Sequence, residues 1–314
     1  MNKKNYLITG GAGFIGSRLV QFLENKKVQI YVIDDLSTGK MANVKNFPKN
    51  VIFIKGDCSD LKIINKIKKV KFDTIFHIAG QSSGEVSFDS PTNDLNRNLL
   101  STVILAEFAI KNKVRKFIYA SSMSVYGDLK KENFYAKENS SCNPLSFYGL
   151  SKLSSEKYLK TFSTLGLNYT ILRFFNVYGP NQNLKNLRQG MISIYLAQLL
   201  KSNKILIKGS LKRFRDFIFI DDVIKITYLC SIKNNTKNKI YNISTGCKTT
   251  VREIISLISD ITKKKIKIIK AKSTPGDQFG IYAKPSLVMK DLKIKKLISI
   301  KIGIEKMIKS IKYD

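Results

Sequence analysis

Short apolar runs recur along the first half of the chain, and amphipathic stretches separate several of them. The runs of strand length are "NYLIT", "QIYVID", "VIFIKG", "DTIFHIA", "KFIYASS" and "YTILRFF". Helical periodicity appears in stretches such as "FIGSRLVQFLENK" and "LNRNLLSTVILAEFAIKN". This alternation predicts an α/β fold, in which a doubly wound parallel sheet carries helices on both faces.

The alternation weakens after "FFNVYGP", which indicates a second, smaller part. A helix pattern at "RQGMISIYLAQLLKSN" precedes "RDFIFIDDVIKITYLC", a strand at "KIYNIS" and a helix at "VREIISLISDI". We predict a first domain over residues 1–175, to which 216–243 return, and a smaller α/β part formed by 176–215 and 244–314. Because no Pro- or Ser-rich linker separates the parts, we expect one unit with a cleft between them.

Composition bounds the class of protein. The chain has 314 residues, 43% of them hydrophobic, and no apolar run approaches the roughly 18 residues that a membrane helix needs. Its N-terminal stretch does not resemble a signal peptide, and its four cysteines lie at wide, irregular spacings. We expect reduced thiols, no membrane association and a cytoplasmic location.

The net charge of +32 raises the question of a nucleic-acid partner. Only eight of the 55 basic residues are arginines, the residue type best suited to bidentate recognition of phosphates and bases. The lysines are spread along the chain, in stretches such as "NKIKKVK" and "TKKKIKIIKAK". We interpret them as a compositional bias on solvated faces and predict no nucleic-acid binding.

A glycine-rich turn follows the first predicted strand in "YLITGGAGFIG". Gly10, Gly13 and Gly16, or Gly11 with the last two, fit the spacing of dinucleotide-binding loops. Glycines there permit a tight turn and let a pyrophosphate approach the backbone at a helix N-terminus. Asp34 ends the second strand, where a carboxylate can accept hydrogen bonds from ribose hydroxyls and repel a 2′-phosphate. The pattern predicts a Rossmann-type domain that binds NAD rather than NADP.

A second group of residues carries acid–base chemistry. Tyr148 and Lys152, in "YGLSK", are four residues apart and would share one face of a helix. An ammonium beside a phenol stabilises the phenolate, so we expect Lys152 to lower the pKa of Tyr148. Ser122, in "SSMSVYG", could hydrogen-bond the same substrate hydroxyl. The Tyr–Lys spacing alone is a weak signal, because it arises often by chance.

Taken together, the motifs resemble a known family. "TGGAGFIG", "DD" after the second strand, "GDCSD", "HIAGQSS", "SSMSVYG", "YGLSK", "LRFFNVYGP" and "RDFIFIDDV" occur in the order seen in extended short-chain dehydrogenase/reductases. More narrowly, the chain is similar to nucleotide-sugar 4-epimerases of the UDP-glucose 4-epimerase type, from about Tyr6 to Met307.

The resemblance implies a set of site residues. The catalytic positions are Ser122, Tyr148 and Lys152. The NAD positions are Gly10, Gly13, Phe14, Ile15, Gly16, Asp34, Asp35, Ser37, Thr38, Gly39, Asp57, Cys58, Ala79, Gly80, Gln81, Asn98, Tyr148, Lys152 and Phe175. The substrate positions are Ser122, Ser124, Tyr148, Asn176, Asn186, Leu187, Arg213, Arg215, Asp277 and Ile281.

The residues narrow the reaction. Dehydratase and decarboxylase relatives look like TDEVYG and TSEVYG at the strand-five motif, whereas this chain has Met123 and Ser124 at the two central positions. His77, the only histidine, is interpreted as a core residue, and one histidine with scattered cysteines predicts no metal site. We therefore expect NAD-dependent 4-epimerisation of a nucleotide sugar, UDP-linked glucose, galactose or their N-acetyl forms, through a transient 4-keto sugar.

Departures from the family pattern leave the sugar and nucleotide open. "TPGD" places Thr274 where relatives carry an Arg, and Arg213 is a candidate substitute. Lys284 stands where an Asp is common, and Ile281, where hexose epimerases carry a bulky Tyr, predicts room for an acetamido group. The alternatives are a reductase, dehydratase or uronate epimerase of the same family, or a non-catalytic NAD-binding subunit. We also expect a homodimer through the helices at 95–112 and 147–165, each of which has apolar residues on more than one face.

Overall fold

A seven-stranded parallel sheet organises the protein, whose computed structural model describes residues 4–273 and 278–311. The strands in chain order are β1 (Lys4–Thr9), β2 (Val28–Asp34), β3 (Val51–Lys55), β4 (Thr74–His77), β5 (Lys116–Ser122), β6 (Tyr169–Phe174), β7 (Asn176–Tyr178), β8 (Lys204–Lys208), β9 (Phe214–Arg215), β10 (Phe217–Phe219), β11 (Lys239–Ile243), β12 (Thr249–Thr250), β13 (Lys267–Ala271) and β14 (Gly280–Ile281). The large sheet has the order β11-β6-β5-β4-β1-β2-β3. This confirms the predicted doubly wound fold.

Helices connect these strands. They are α1 (Phe14–Phe22), α2 (Met41–Lys45), α3 (Leu61–Asn65), α4 (Gly84–Ser87), α5 (Pro91–Leu95), α6 (Ser101–Lys111), α7 (Phe147–Ser163), α8 (Met191–Lys201), α9 (Ile220–Ile232), α10 (Val251–Thr262), α11 (Ser286–Leu292) and α12 (Ile300–Ser310). A π-helical turn, Asn96–Leu100, joins α5 to α6, so the helix predicted over 95–112 contains a change of winding. Within the described ranges, no helix is long and apolar enough to cross a membrane.

The centre of the large sheet is buried, and its strands are rich in apolar residues. All residues of β5 and β6 are buried, as parallel strands covered on both faces require. Two apolar clusters lie against the sheet, one built on Ile8, Ile30 and Phe76 and the other on Leu7, Ile75 and Phe117. Neighbouring residues of one strand thus face opposite clusters, as the two-residue period of a strand dictates.

The strand order reverses between β1 and β4. From β1 the sheet continues to one side through β2 and β3, and from β4 it continues to the other side through β5 and β6. The carboxyl ends of parallel strands at such a point frame a crevice where ligands bind. The described structure also has three short sheets, formed by β10 with β7, by β12, β9 and β14, and by β13 with β8. In the region 216–243, α9 packs against α1 and β11 pairs with β6. The division into two parts stays a prediction.

Candidate active site

The glycine loop between β1 and α1 forms a cradle without side chains. Gly10 has φ +71°, and a Cβ there would lie 2.8 Å from backbone atoms of Ala79. A Cβ on Gly16 would collide with the carbonyl oxygen of Gly10, so helix α1 can approach the loop only with glycine at this position. Gly13 caps α1 in an extended conformation, with no side chain over the helix N-terminus. The loop fits a pyrophosphate at that N-terminus.

Asp34, at the end of β2, is buried beside this loop. Its carboxylate accepts hydrogen bonds from the backbone N–H of Ala12 at 2.9 Å and of Leu36 at 2.8 Å. Each oxygen uses one such bond and can still accept another from a ribose hydroxyl. Burial is the main cause of its raised pKa. Asp34 therefore also ties the glycine loop to the next connection, which the sequence analysis did not predict.

A cavity of about 600 Å³ runs along these loops. Its lining includes fourteen of the predicted NAD positions: Gly10, Gly13, Phe14, Ile15, Gly16, Asp34, Asp35, Ser37, Thr38, Gly39, Asp57, Cys58, Ala79 and Gly80. Arg97, absent from the prediction, also lines it and forms a 2.8 Å ion pair with Asp35. The sequence indicated this role only through the position of Arg97 directly before Asn98, a predicted NAD position. The residues present fit a dinucleotide.

A second cavity, of about 230 Å³, opens beside the first and shares several of its lining residues. The predicted positions it collects are Gln81, Ser122, Ser124, Tyr148, Lys152, Phe175 and Asn176. Of these, Tyr148 and Lys152 come from α7 and Ser122 from the end of β5. The elements thus bring the predicted Ser, Tyr and Lys to one wall.

Helix α7 presents Tyr148 and Lys152 in its first turns. The hydroxyl of Ser146 caps the helix by accepting a hydrogen bond from the Gly149 N–H. The Lys152 ammonium donates to the Ala120 carbonyl at 2.9 Å and lies 6.0 Å from the centroid of the Tyr148 ring. Ser122 Oγ accepts from the Ser124 N–H at 3.1 Å.

Burial dominates the ionisation of this pair. It raises the pKa of Tyr148 to about 12, although a hydrogen bond from Ser122 acts to lower it. Burial also lowers the pKa of Lys152 to about 8, against the opposing charge of Asp94. The expected net lowering of the Tyr148 pKa by Lys152 is therefore not present in the protein alone, because desolvation of the phenolate is the larger effect.

A buried ion pair supports α7 from behind. Arg173 on β6 contacts Glu156 on α7 through two hydrogen bonds of 2.6 and 2.9 Å, and the two side chains are 3% and 1% exposed. Ser121 also donates to Glu156 at 2.6 Å, and Arg173 donates to the Glu138 carbonyl at 3.0 Å. This network fixes the helix that carries Tyr148 against the sheet. Its members are far apart in sequence, so spacing alone gave no signal for them.

Several predicted substrate positions lie elsewhere. Asn186 lines the first cavity, and Leu187 is exposed on the same segment. Ile281 is fully buried in β14, within an apolar cluster that includes Val125 and Tyr126, and is not among the described residues lining the second cavity. It pairs with Arg215 in the β12-β9-β14 sheet, and its place at the substrate stays a prediction.

The remaining positions lie beside the cavities rather than in their walls. Arg213 and Arg215 are buried near Tyr195, and burial lowers the pKa of Arg215 to about 10 with the help of the Arg213 charge. Asn98 is buried behind Gln81, to whose carbonyl it donates at 3.0 Å. Asp277, like Thr274, falls outside the described residues.

His77 is a core residue, as predicted. Its ring lies 2.8 Å from the Thr9 hydroxyl and 3.0 Å from that of Thr102. Complete burial lowers its pKa to about 3, so the imidazole is neutral near neutral pH.

The crevice, the glycine cradle and the Ser–Tyr–Lys wall define a dinucleotide-dependent enzyme of the α/β class. The chain belongs to the NAD dependent epimerase/dehydratase family, whose model matches residues 6–244. This confirms the family that the motifs indicated and the expected NAD cofactor.

The chain is similar to several named proteins and solved structures. The chain is 36% identical over 279 residues to the putative UDP-glucose 4-epimerase of Methanocaldococcus jannaschii, with 88% of each chain covered. It is similar to the UDP-N-acetylglucosamine 4-epimerase of Methanobrevibacter ruminantium in complex with UDP-N-acetylmuramic acid, at 30% identity and TM-score 0.90 over 99% of this chain and 98% of that one. It is also similar to the UDP-glucuronic acid 4-epimerase of Bacillus cereus in complex with UDP-glucuronic acid and NAD. The sequence identity is 27% and the TM-score is 0.89, over 98% of each chain.

Proposed function

We propose that this protein is an NAD-dependent nucleotide-sugar 4-epimerase. The observation that carries the proposal is the convergence of Ser122, Tyr148 and Lys152 on the wall of a cavity that adjoins the dinucleotide cradle. The relatives compared above act on different sugars according to their names, but each is named a 4-epimerase. The proposed reaction is the one they share.

NAD held in the glycine cradle would supply the hydride acceptor and, once reduced, the hydride donor. Tyr148 takes the proton of the C4 hydroxyl when C4 is oxidised, which yields a 4-keto sugar. After the sugar turns within the cavity, Tyr148 gives the proton back when C4 is reduced on its opposite face. Ser122 orients the hydroxyl, and the ammonium of Lys152 stabilises the phenolate, whose formation burial opposes.

The lining of the second cavity disfavours elimination of water. Among its described residues there is no Asp, Glu or His, and Met123 and Ser124 occupy the wall beside Ser122. A dehydratase needs an acid and a base besides the tyrosine. A uronate substrate would need a partner for its carboxylate, and Lys152 is the only charged residue in this part of the lining.

The nucleotide diphosphate is assigned to Arg215 on β9 and to Arg213, which precedes it by two positions. Arg213 and Arg215 are both buried, and the cationic character of this region favours a doubly charged ligand. Arg213 would replace the arginine that relatives carry at Thr274. We propose UDP as the nucleotide by family resemblance.

A homodimer is proposed through the surface of α5 to α7. Large apolar side chains are exposed along it: Leu95, Leu100, Phe147, Leu150 and Tyr158. Such a concentration of exposed apolar groups favours a protein partner, and a second copy is consistent with the resemblance. The cysteines, all in the described part of the chain, are free thiols, which supports the proposed cytoplasmic location.

The test is to incubate purified protein with UDP-glucose, UDP-N-acetylglucosamine and UDP-glucuronic acid, and to follow epimers and net NADH. Epimers without net NADH are expected. Net NADH with an oxidised sugar would support a dehydrogenase instead, and neither product with bound NAD would support a non-catalytic subunit.

A further inference from the structure

Asp94 is a fully buried carboxylate beside the proposed catalytic pair. It lies on α5, which packs against α7, and its side chain has no exposed surface. Oδ1 accepts a hydrogen bond from Asn98 at 3.1 Å, whereas Oδ2 has no hydrogen-bond partner among residues 4–273 and 278–311. Burial raises the pKa of Asp94, while a hydrogen bond from Ser151 and the charge of Lys152 act to lower it. Burying an ionisable group is costly, so the residue calls for an explanation.

Asn98 is hydrogen-bonded to Asp94 and lies near Lys152. Its amide nitrogen donates to the Gln81 carbonyl at 3.0 Å and to Asp94 Oδ1 at 3.1 Å, which uses both N–H groups. The amide oxygen therefore faces the other way, towards Gly80. A Cβ on Gly80 would collide with that oxygen and lie 3.2 Å from Lys152 Nζ. Two acceptors thus fix the amide with its oxygen at Gly80, beside the space that the ammonium also borders, and that oxygen has no hydrogen-bond partner among the described residues.

Other charged or titratable groups also face Lys152, from every element packed around it. They are Cys58 after β3, His77 on β4, Tyr119 on β5, and Tyr148 and Glu156 on α7.

Most of these groups cannot supply an uncompensated negative charge. Glu156 is paired with Arg173, burial raises the pKa of the Cys58 thiol, and His77 is neutral. Asp94 forms no ion pair within 4.0 Å in the described parts of the chain, so its charge acts on Lys152 through Asn98 and through space.

We propose that Asp94 is a positioning residue, which holds Asn98 beside the Lys152 ammonium and keeps that ammonium charged for the Tyr148 reaction. This rests on the proposed function, in which Tyr148 is the base. Asp94 is the largest of the groups that raise the pKa of Lys152, and its charge also raises the pKa of Tyr148. Neutralising Asp94 should therefore lower both pKa values.

The test compares Asp94→Asn with Asp222→Asn. Asp222 is a buried carboxylate on α9 that accepts from the Ile298 N–H at 2.7 Å, outside both cavities, so it controls for loss of a buried charge. In Asp94→Asn, both limbs of the pH profile of kcat/KM should move to lower pH, by on the order of one unit. Asp222→Asn should leave both limbs in place.

A titration of the Tyr148 phenol, measured without turnover, tests the role of Asp94 separately from the proposed epimerase function. The phenolate absorbance of Tyr148 is obtained as the difference between each enzyme and its Tyr148→Phe counterpart. A lower Tyr148 pKa in Asp94→Asn supports the coupling even if no sugar is epimerised, which would count against the proposed function alone. An unchanged Tyr148 pKa and unmoved limbs in folded Asp94→Asn overturn the role of Asp94.

A folding defect does not remove the test. If circular dichroism shows that Asp94→Asn is unfolded, Asp94→Ser takes its place, because serine keeps an acceptor for Asn98 without the charge. Asp94→Glu, which retains the charge, should keep the Tyr148 pKa within a few tenths of a unit of the wild-type value. A shift in Asp94→Glu equal to that in the neutral variants would show that shape, not charge, is responsible.

Discussion

Replacement of Arg173 by Met should strongly destabilise the protein, because it leaves Glu156 buried without its cation. The guanidinium supplies two of the hydrogen bonds to this carboxylate, and only Ser121 Oγ would remain of the donors described above. Removing one partner of a buried pair costs about 3–5 kcal/mol. Since the side chains are 3% and 1% exposed, solvent cannot reduce this cost by much.

The magnitude is measured by urea unfolding followed by far-UV circular dichroism, with the slope of the transition checked for constancy. Arg115→Met is the matched control. Arg115 makes a 2.8 Å ion pair with Asp73 but is 38% exposed, so its pair should contribute about 1 kcal/mol or less.

The double variant Arg173→Met/Glu156→Leu tests the cause. Because both charges are then absent, most of the lost stability should return, apart from about 1 kcal/mol for the unpaired Ser121 hydroxyl. A single variant that costs no more than the Arg115 control would refute the reasoning. So would a double variant less stable than Arg173→Met, since the penalty would then not come from an isolated carboxylate.

Four further outcomes are expected. Tyr148→Phe should lower kcat by about 10² to 10⁴ while NAD still binds, and near-normal turnover would assign the base elsewhere. Gly16→Ala should abolish NAD binding measured by calorimetry, because the added Cβ meets the Gly10 carbonyl; wild-type affinity would exclude the pyrophosphate from this loop. NAD should bind at least tenfold more tightly than NADP, and equal affinities would remove the ribose role of Asp34. Ile281→Tyr should overpack the core and lower the free energy of unfolding by about 1–3 kcal/mol. A changed sugar preference at unchanged stability would mean that Ile281 faces the substrate.

Features encoded locally were predictable from the sequence. The strands of the large sheet follow from continuous apolar runs, and the cradle follows from glycines placed between a strand and a helix. Tyr148 and Lys152 were found because helical spacing puts them on one face. Each of these signals is contained in a few consecutive residues.

Features that depend on distant segments were not predictable in this way. Glu156 and Arg173 meet only when α7 packs on β6, and Asp94 lies near Lys152 only because α5 packs on α7. The raised pKa of Tyr148 depends on burial, which residue types alone do not give. Ile281 was expected at the substrate from the family resemblance, whereas it is buried in β14, which pairs with β9.

The late position of β11 in the chain has a consequence for synthesis. β11 covers the edge of β6, but its residues 239–243 follow β6 by more than sixty positions. Until residue 243 of 314 has left the ribosome, the β6 segment "YTILRF" presents unpaired backbone groups on one side. Open apolar edges recruit other strands, so the nascent chain requires protection from aggregation during this interval. We therefore expect aggregation of the unfinished chain to depend on connectivity as well as on the stability of the finished protein.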